Sequence, residues 1–266
     1  MRVTVDDVTL EVHVEGRADA DAAPIVLLHG FPFSRALWDA QVPQLAARAR
    51  IVRVDLRGMG ASQAGDGPYL MESLAGDVAG VLDWLKMERV TLVGHSLGGY
   101  VAMAFCRMYG ERVARLALVC SRLAADTAAI AAAREALADR IEREDRIDAV
   151  LDAYLPKEFA LKSLSADPRL LERARTIASE NTPRGLAAML RGMAQRVASD
   201  DIAQELTMPV VAIAGALDAV VPIDEAREMT RVFPNARLET MERSGHLPML
   251  EEPERLTRAL LDFATG

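Results

Sequence analysis

The segment at residues 94–99 constrains the fold of this chain more than any other feature. It reads Gly-His-Ser-Leu-Gly-Gly and lies between an apolar run at 90–93 and a stretch with helical periodicity. A chain that turns so sharply from a strand into a helix leaves no room for side chains at positions 94 and 98, where glycines stand. The segment therefore predicts a strand–turn–helix unit with Ser96 on a strained turn and its hydroxyl exposed above a sheet.

Short apolar runs alternate with amphipathic segments along most of the chain. Alternating apolar residues before residue 15 predict an antiparallel hairpin. Buried strands are predicted at 25–28, 51–54, 90–93, 116–119, 210–214 and 236–240. Helices are predicted at about 34–48, 70–86, 96–109 and 224–232, and again after Pro253. This alternation is typical of a parallel sheet that helices cover on both faces, so the predicted fold class is α/β.

The stretch from 122 to 206 departs from the alternation. It contains no strand-like apolar run, is rich in Ala, Leu, Arg and Glu, and is interrupted by Pro156, Pro168 and Pro183. We interpret it as several helices inserted between two strands, because the sheet pattern resumes at Val210. The predicted organisation is a first part of the core at 1–121, a helical cap at 122–206 and a second part of the core at 207–266.

The composition disfavours several partners. The chain has 266 residues with 31 basic and 39 acidic side chains, and its net charge of −8 argues against nucleic acid or an anionic membrane surface. No apolar run reaches the roughly 18 residues that a membrane helix needs, and the N-terminus lacks a signal-peptide core. Cys106 and Cys120 are too few for a disulfide scaffold and are interpreted as buried thiols. The predicted location is cytoplasmic.

A serine hydroxyl is a weak nucleophile at neutral pH, so Ser96 needs a base. The chain has four histidines. His13 lies in the predicted hairpin, His29 closes a strand, and His95 is expected to point away from its neighbour Ser96. His246 follows the last predicted strand and is the only histidine in the chain order Ser, Asp or Glu, His. We therefore predict that His246 is the base.

The base in turn needs an acid that orients it. Asp218 is the first carboxylate after the apolar run at 210–214. Asp224 is the main alternative, although it is also placed to cap the next helix. The predicted role of Asp218 is to accept a hydrogen bond from Nδ1–H of His246 and to stabilise the imidazolium.

A tetrahedral oxyanion would require two backbone N–H donors. Leu97 follows Ser96 at the start of a helix, whose dipole favours negative charge. The second donor is expected in the loop after the strand at 25–28. Pro32 has no N–H, which leaves Phe31 as the best candidate in that loop.

At this point the chain closely resembles the α/β-hydrolase superfamily over nearly its whole length. The residues that carry the resemblance are the segments 29–32, 55–62, 94–99, 215–218 and 245–246. The resemblance implies an α/β-hydrolase fold with a mostly parallel eight-stranded sheet, a helical cap, and a triad of Ser96, Asp218 and His246. It also implies that Asp55 and Arg57 belong to a structural loop. Within the superfamily, the chain looks most like small bacterial serine esterases and enol-lactonases.

The resemblance leaves several activities open. The first is hydrolysis of small-to-medium carboxylic esters or lactones through an acyl-enzyme. The alternatives are C–C bond hydrolysis of diketone-like substrates, cofactor-free perhydrolysis or haloperoxidase-like chemistry, and a non-catalytic binding protein. Haloalkane dehalogenases and epoxide hydrolases use an aspartate nucleophile, so Ser96 disfavours both.

The expected partner is a small-molecule ester or lactone, and neither a cofactor nor a metal is expected. No His, Cys and Asp cluster has ligand spacing, and the glycine-rich segments lack the lysine of a nucleotide-binding loop. Phe159, Met189 and Met193 are predicted to line an apolar cavity under the cap. That cavity predicts a preference for short-to-medium apolar esters over charged ones.

Overall fold

The eight strands form a single sheet. The computed structural model describes residues 1–17 and 22–266. The strands are β1 (Arg2–Val5), β2 (Val8–Gly16), β3 (Ile25–Leu28), β4 (Arg50–Val54), β5 (Val90–His95), β6 (Val113–Val119), β7 (Val210–Gly215) and β8 (Ala236–Met241). Their spatial order is β1-β2-β4-β3-β5-β6-β7-β8, in which β2 pairs antiparallel with β1 and β4 and the other pairs are parallel. The mostly parallel eight-stranded sheet confirms the predicted fold class.

Helices lie on both faces of this sheet. They are α1 (Val42–Ala46), α2 (Met71–Trp84), α3 (Leu97–Tyr109), α4 (Ala128–Glu144), α5 (Asp148–Tyr154), α6 (Leu161–Ala166), α7 (Arg169–Ala178), α8 (Pro183–Ala194), α9 (Asp200–Glu205), α10 (Ile223–Val232), α11 (Pro248–Glu251) and α12 (Pro253–Thr265). The protein has two large clusters of buried apolar side chains, and adjacent residues of β3 belong to different ones. Val26 lies in the cluster that includes residues of α2 and α3, whereas Leu27 lies in the cluster that includes residues of α12. A strand buried on both faces explains the continuous apolar runs in the sequence.

The segment between β6 and β7 contains α4 to α9. Thr127 caps α4, because its hydroxyl accepts a hydrogen bond from the N–H of Ile130. Thr182 caps α8 in the same way, and Pro183 occupies the first position of that helix. Helix α4 packs along α8. These local signals account for the helical character of the stretch.

One predicted helix is divided into two pieces. In place of a helix over 34–48, a 3₁₀ turn at Arg35–Trp38 precedes the short helix α1. Ser34 caps the 3₁₀ turn by accepting a hydrogen bond from the N–H of Ala36. Pro43 lies in the first turn of α1. A continuous helix through Pro43 would lose a backbone hydrogen bond and clash with the preceding turn, so the helix restarts there.

No helix within residues 1–17 and 22–266 combines the length and the hydropathy that a membrane span requires.

Candidate active site

Ser96 lies on the turn between β5 and α3, with φ of 49° and ψ of −111°. A Cβ at Gly94 would lie 2.3 Å from the carbonyl oxygen of Gly98, and one at Gly98 would lie 2.4 Å from that of Leu28. The tight turn therefore requires glycine at both positions. The Ser96 N–H donates to Val119 across 2.9 Å, so neighbouring elements hold this sparsely populated backbone conformation in place.

Asp218 and His246 meet at the carboxyl ends of neighbouring strands. Asp218 follows β7 and His246 follows β8. Nδ1 of His246 lies 2.7 Å from Oδ2 of Asp218, and both side chains are buried. Oδ1 of Asp218 accepts from the N–H groups of Val220 and Val221, each at 2.8 Å. With every oxygen of Asp218 engaged, the carboxylate is fixed in position and orients the imidazole.

Ser96 and His246 line one cavity of about 180 Å³. Within the described residues, the Ser96 hydroxyl makes no hydrogen bond to the imidazole, a looseness that is common before substrate binds. The other lining residues are Phe31, Tyr100, Arg122, Asp126, Ile130, Arg134, Tyr154, Glu158, Met193 and Val220. The cavity is smaller than the roughly 300–1,000 Å³ of pockets for drug-sized ligands, so it suits a small substrate.

Glu158 is a cavity residue that the sequence analysis missed. It follows a 3₁₀ turn at Leu155–Lys157, and its Oε2 lies 3.8 Å from Nε2 of His246. That oxygen is buried and has no hydrogen-bond partner among the described residues. The backbone carbonyl of Glu158 accepts a hydrogen bond from the N–H of His246 at 2.8 Å. Nothing in the sequence around position 158 distinguishes this glutamate from the exposed acidic residues of nearby helices.

The buried carboxylates control the proton affinity of His246. Burial disfavours the imidazolium, but Asp218 and Glu158 outweigh that effect and raise the pKa of His246 to about 8. Burial also raises the pKa of Glu158 to about 7, although the nearby imidazolium opposes this shift. Two groups that titrate near neutrality therefore face each other across the cavity wall.

Of the two predicted oxyanion donors, Leu97 directly follows Ser96 and Phe31 lines the same cavity as Ser96. Leu97 begins α3, and Phe31 lies in the loop after β3. Neither backbone N–H donates to an acceptor within the described part of the chain. The loop is anchored because Leu56 donates to the imidazole of His29 at 3.0 Å and Asn181 donates to the carbonyl of Pro32 at 2.7 Å.

The structure brings only part of the predicted substrate-binding set to the cavity. Met193 lines it, whereas Met189 and Phe159 are buried in the two hydrophobic cores. The expected apolar lining is interrupted, because the charged residues Arg122, Asp126, Arg134 and Glu158 also line the cavity. Sequence periodicity identifies the buried face of a helix but not which buried side chains surround a cavity.

The remaining candidates lie elsewhere. His13 is in β2, partly exposed beside Glu11. Asp224 is exposed in the first turn of α10 and pairs with Arg227, while Pro222 occupies the capping position expected for Asp224. Asp55 accepts from the N–H groups of Arg35 and Ala61, at 2.7 and 3.0 Å. Asp55 thus connects its own loop to the 3₁₀ turn at Arg35–Trp38 and does not line the cavity.

One group of buried side chains has the residue types that ligate metal ions. Ligand atoms of Cys120, Asp218 and His246 lie within 4.8 Å of one another. Asp218 and His246 are already hydrogen-bonded to each other. Burial raises the pKa of the Cys120 thiol well above its usual range, so it is a neutral thiol and a poor ligand. The arrangement suits proton transfer better than metal binding.

Comparison with known proteins identifies the family. The sequence profile of the alpha/beta hydrolase family matches residues 25–259, and the chain belongs to this family. Its structure is similar to a thermophilic esterase from Thermogutta terrifontis, with 33% identity over 98% of this chain and 97% of that one and a TM-score of 0.94. It is also similar to the enol-lactonase from Burkholderia xenovorans LB400, with 26% identity over 100% of both chains and a TM-score of 0.92. A 2-hydroxy-6-oxo-2,4-heptadienoate hydrolase from Pseudomonas putida is 27% identical over 90% of this chain and 88% of its own length.

Proposed function

We propose that this protein is a serine hydrolase of small carboxylic esters or lactones. The observation that carries the proposal is the 2.7 Å contact between Asp218 and His246 beside Ser96 on its strained turn. A buried acid that orients an imidazole in the same cavity as a serine hydroxyl is the arrangement that activates a serine nucleophile. The esterase and the enol-lactonase among the similar structures support the same reaction class.

In the proposed reaction, Oγ of Ser96 attacks the substrate carbonyl and its proton moves to Nε2 of His246. The N–H groups of Phe31 and Leu97 stabilise the oxyanion. The leaving alcohol takes the proton from His246, and an acyl-enzyme remains. Water then attacks the acyl carbon and gives one proton to His246. The acyl–Oγ bond breaks, His246 returns that proton to Oγ, and the acid leaves with Ser96 restored. Residues 122–206 are proposed to act as a cap that supplies part of the cavity wall.

The same groups could perform C–C bond hydrolysis of a diketone-like substrate. The Pseudomonas putida relative, whose name describes a 2-hydroxy-6-oxo-2,4-heptadienoate hydrolase, favours this second candidate. The two candidates differ in the bond that breaks. A panel of simple esters, lactones and diketones therefore distinguishes them by product, and a preference for a diketone over every ester would exclude the ester hydrolase.

Covalent labelling tests the nucleophile. A fluorophosphonate should add one label per chain to the wild type and none to Ser96→Ala, and turnover of ester should fall by a factor of about 10⁴ or more in that variant. Ser73→Ala, which removes an exposed serine of α2, is the matched control and should label normally. Labelling of Ser96→Ala at another residue would exclude Ser96 as the nucleophile.

A further inference from the structure

The cavity beside Ser96 carries an unbalanced positive charge. Asp126 lies just before α4, and its side chain is only 4% exposed. It accepts from Nε of Arg134 at 2.6 Å and from Nη2 of Arg196 at 3.0 Å. Two guanidinium groups therefore share one carboxylate in a buried region, where charged side chains are normally paired one to one.

The two arginines are not equivalent. Arg196 is 3% exposed, stacks over the ring of Tyr100 at 3.9 Å and also donates to the carbonyl of Ala124. Arg134 lines the cavity with Ser96, whereas Arg196 does not. Within the described residues, Arg134 donates one hydrogen bond to a carboxylate, from its Nε to Asp126. The phenol of Tyr154 also hydrogen-bonds the Arg134 side chain. The guanidinium N–H groups that neither Asp126 nor Tyr154 uses can bind a ligand in the cavity.

The other ionisable groups of the cavity wall do not neutralise the extra positive charge of Arg134. Arg122 is neutralised by Glu225 at 3.3 Å and donates to the carbonyl of Val220 at 2.6 Å. No ion pair within 4.0 Å joins Glu158 to Arg134 in the described residues. Glu158 faces His246 instead, with Oε2 at 3.8 Å from Nε2, so its charge offsets the imidazolium and not Arg134.

We propose that Arg134 forms a carboxylate-binding subsite and that the substrate is a small ester or lactone carrying a second, ionised carboxylate group. This inference deepens the proposed function and rests on it. A guanidinium binds a carboxylate through charge-assisted hydrogen bonds, which are stronger than neutral ones. The small cavity places such a group within a few bonds of the ester carbonyl.

A matched pair of substrates tests the subsite. Monomethyl glutarate and its carboxamide analogue have the same shape and differ in charge, and acid release is followed by titration. We expect the wild type to favour the glutarate ester by about tenfold or more in kcat/KM, mainly through KM. In Arg134→Gln the ratio should approach one, because kcat/KM for the anionic ester falls far more than kcat/KM for the carboxamide ester. Removal of Arg134 leaves Asp126 paired with Arg196, so the fold should survive.

Arg140→Gln is the matched control. Arg140 lies on the same helix, is 54% exposed and pairs with Glu144, so the variant makes the same charge change outside the cavity. It should keep the wild-type ratio. A wild type without preference for the anionic ester, or a preference that survives in Arg134→Gln, would overturn the subsite.

Two further measurements separate this inference from the proposed function. Glutarate should inhibit wild-type turnover of the carboxamide ester at least about tenfold more strongly than glutaramide does, which requires no variant. Calorimetry should show glutarate binding to the wild type and weaker binding to Arg134→Gln even if no ester is hydrolysed. Absence of ester turnover would exclude the proposed function, whereas absence of glutarate binding would exclude the subsite.

Discussion

At the scale of single residues, two buried carboxylates flank the imidazole of His246. Asp218 binds Nδ1 at 2.7 Å, and Oε2 of Glu158 lies 3.8 Å from Nε2. Asp218 thus fixes the orientation of the ring, and Glu158 lies beside the nitrogen that exchanges protons with Ser96 in the proposed reaction. Substitution of each carboxylate should therefore have a different effect on turnover.

Asp218→Asn should lower kcat by about 10⁴ because the amide favours the wrong tautomer of His246. Stability should change little, since the asparagine oxygen can still accept from the N–H groups of Val220 and Val221. Steady-state kinetics and a thermal melt measure the two effects. Asp224→Asn, at an exposed carboxylate after the same strand, is the control and should keep wild-type turnover. Near-normal turnover of Asp218→Asn would assign the acid to another residue.

The pH profile reports the charge on His246. The base must be neutral, so kcat/KM should rise with pH through the pKa of about 8, above the ordinary histidine value of about 6.5. Glu158 helps to hold the proton on His246. Glu158→Gln should therefore move the acid limb toward lower pH and raise kcat/KM at pH 7 several-fold. Asp224→Asn again controls for a change in net charge, and an unmoved limb in Glu158→Gln would contradict this role.

At the scale of elements, close backbone contact between β3 and α3 positions the serine turn against the loop of Phe31. Gly98 is the point of contact, because a Cβ there would lie 2.4 Å from the oxygen of Leu28 and 2.8 Å from that of His29. Backbone atoms cannot rotate away as a flexible side chain can. The helix can therefore approach the strand only with glycine at this position.

Gly98→Ala should destabilise the fold by about 1–3 kcal/mol, the usual range for overpacking. Gly76→Ala is the matched control, since Gly76 lies inside α2 and a Cβ there meets nothing within 4 Å. That change should stabilise the protein by about 0.5–1 kcal/mol through helix propensity alone. Urea unfolding measures both. Equal effects of the two substitutions would show that the contact with β3 has no energetic consequence.

At the scale of the whole molecule, Asp126 connects parts of the inserted segment that are distant in sequence. It precedes α4 and binds Arg134 of that helix and Arg196, which follows α8. These three side chains are each at most 15% exposed. Their ion pairs therefore lie in a region where water screens charge poorly.

Asp126→Asn should lower the free energy of unfolding by about 3–5 kcal/mol, because it leaves two guanidinium groups without a buried counter-ion. Asp139→Asn removes a carboxylate that is 64% exposed beside Arg191 and should cost less than about 1 kcal/mol. Denaturant unfolding of both variants measures the difference. Similar losses in the two would mean that the buried cluster is no more important than a surface ion pair.

The sequence by itself determined the local structure and the order of the site residues. Continuous apolar runs predicted the parallel strands, because such strands are buried on both faces. The spacing of Ser96, Asp218 and His246 followed from their positions after strands whose carboxyl ends meet at one edge. Pro43, which divides a predicted helix, is a local signal that the sequence contains and that the prediction of one helix over 34–48 overlooked.

Only the tertiary structure decided what surrounds the serine. Glu158 and Arg134 lie in a helical segment whose many charged residues are similar in sequence, and most of their neighbours face solvent. Which of them enter the cavity depends on how α4 packs against α8 and where the chain returns toward His246. Helical periodicity gives the buried face of one helix, whereas a cavity is formed by several faces at once. The charge of the cavity therefore follows from packing rather than from any pattern within one segment.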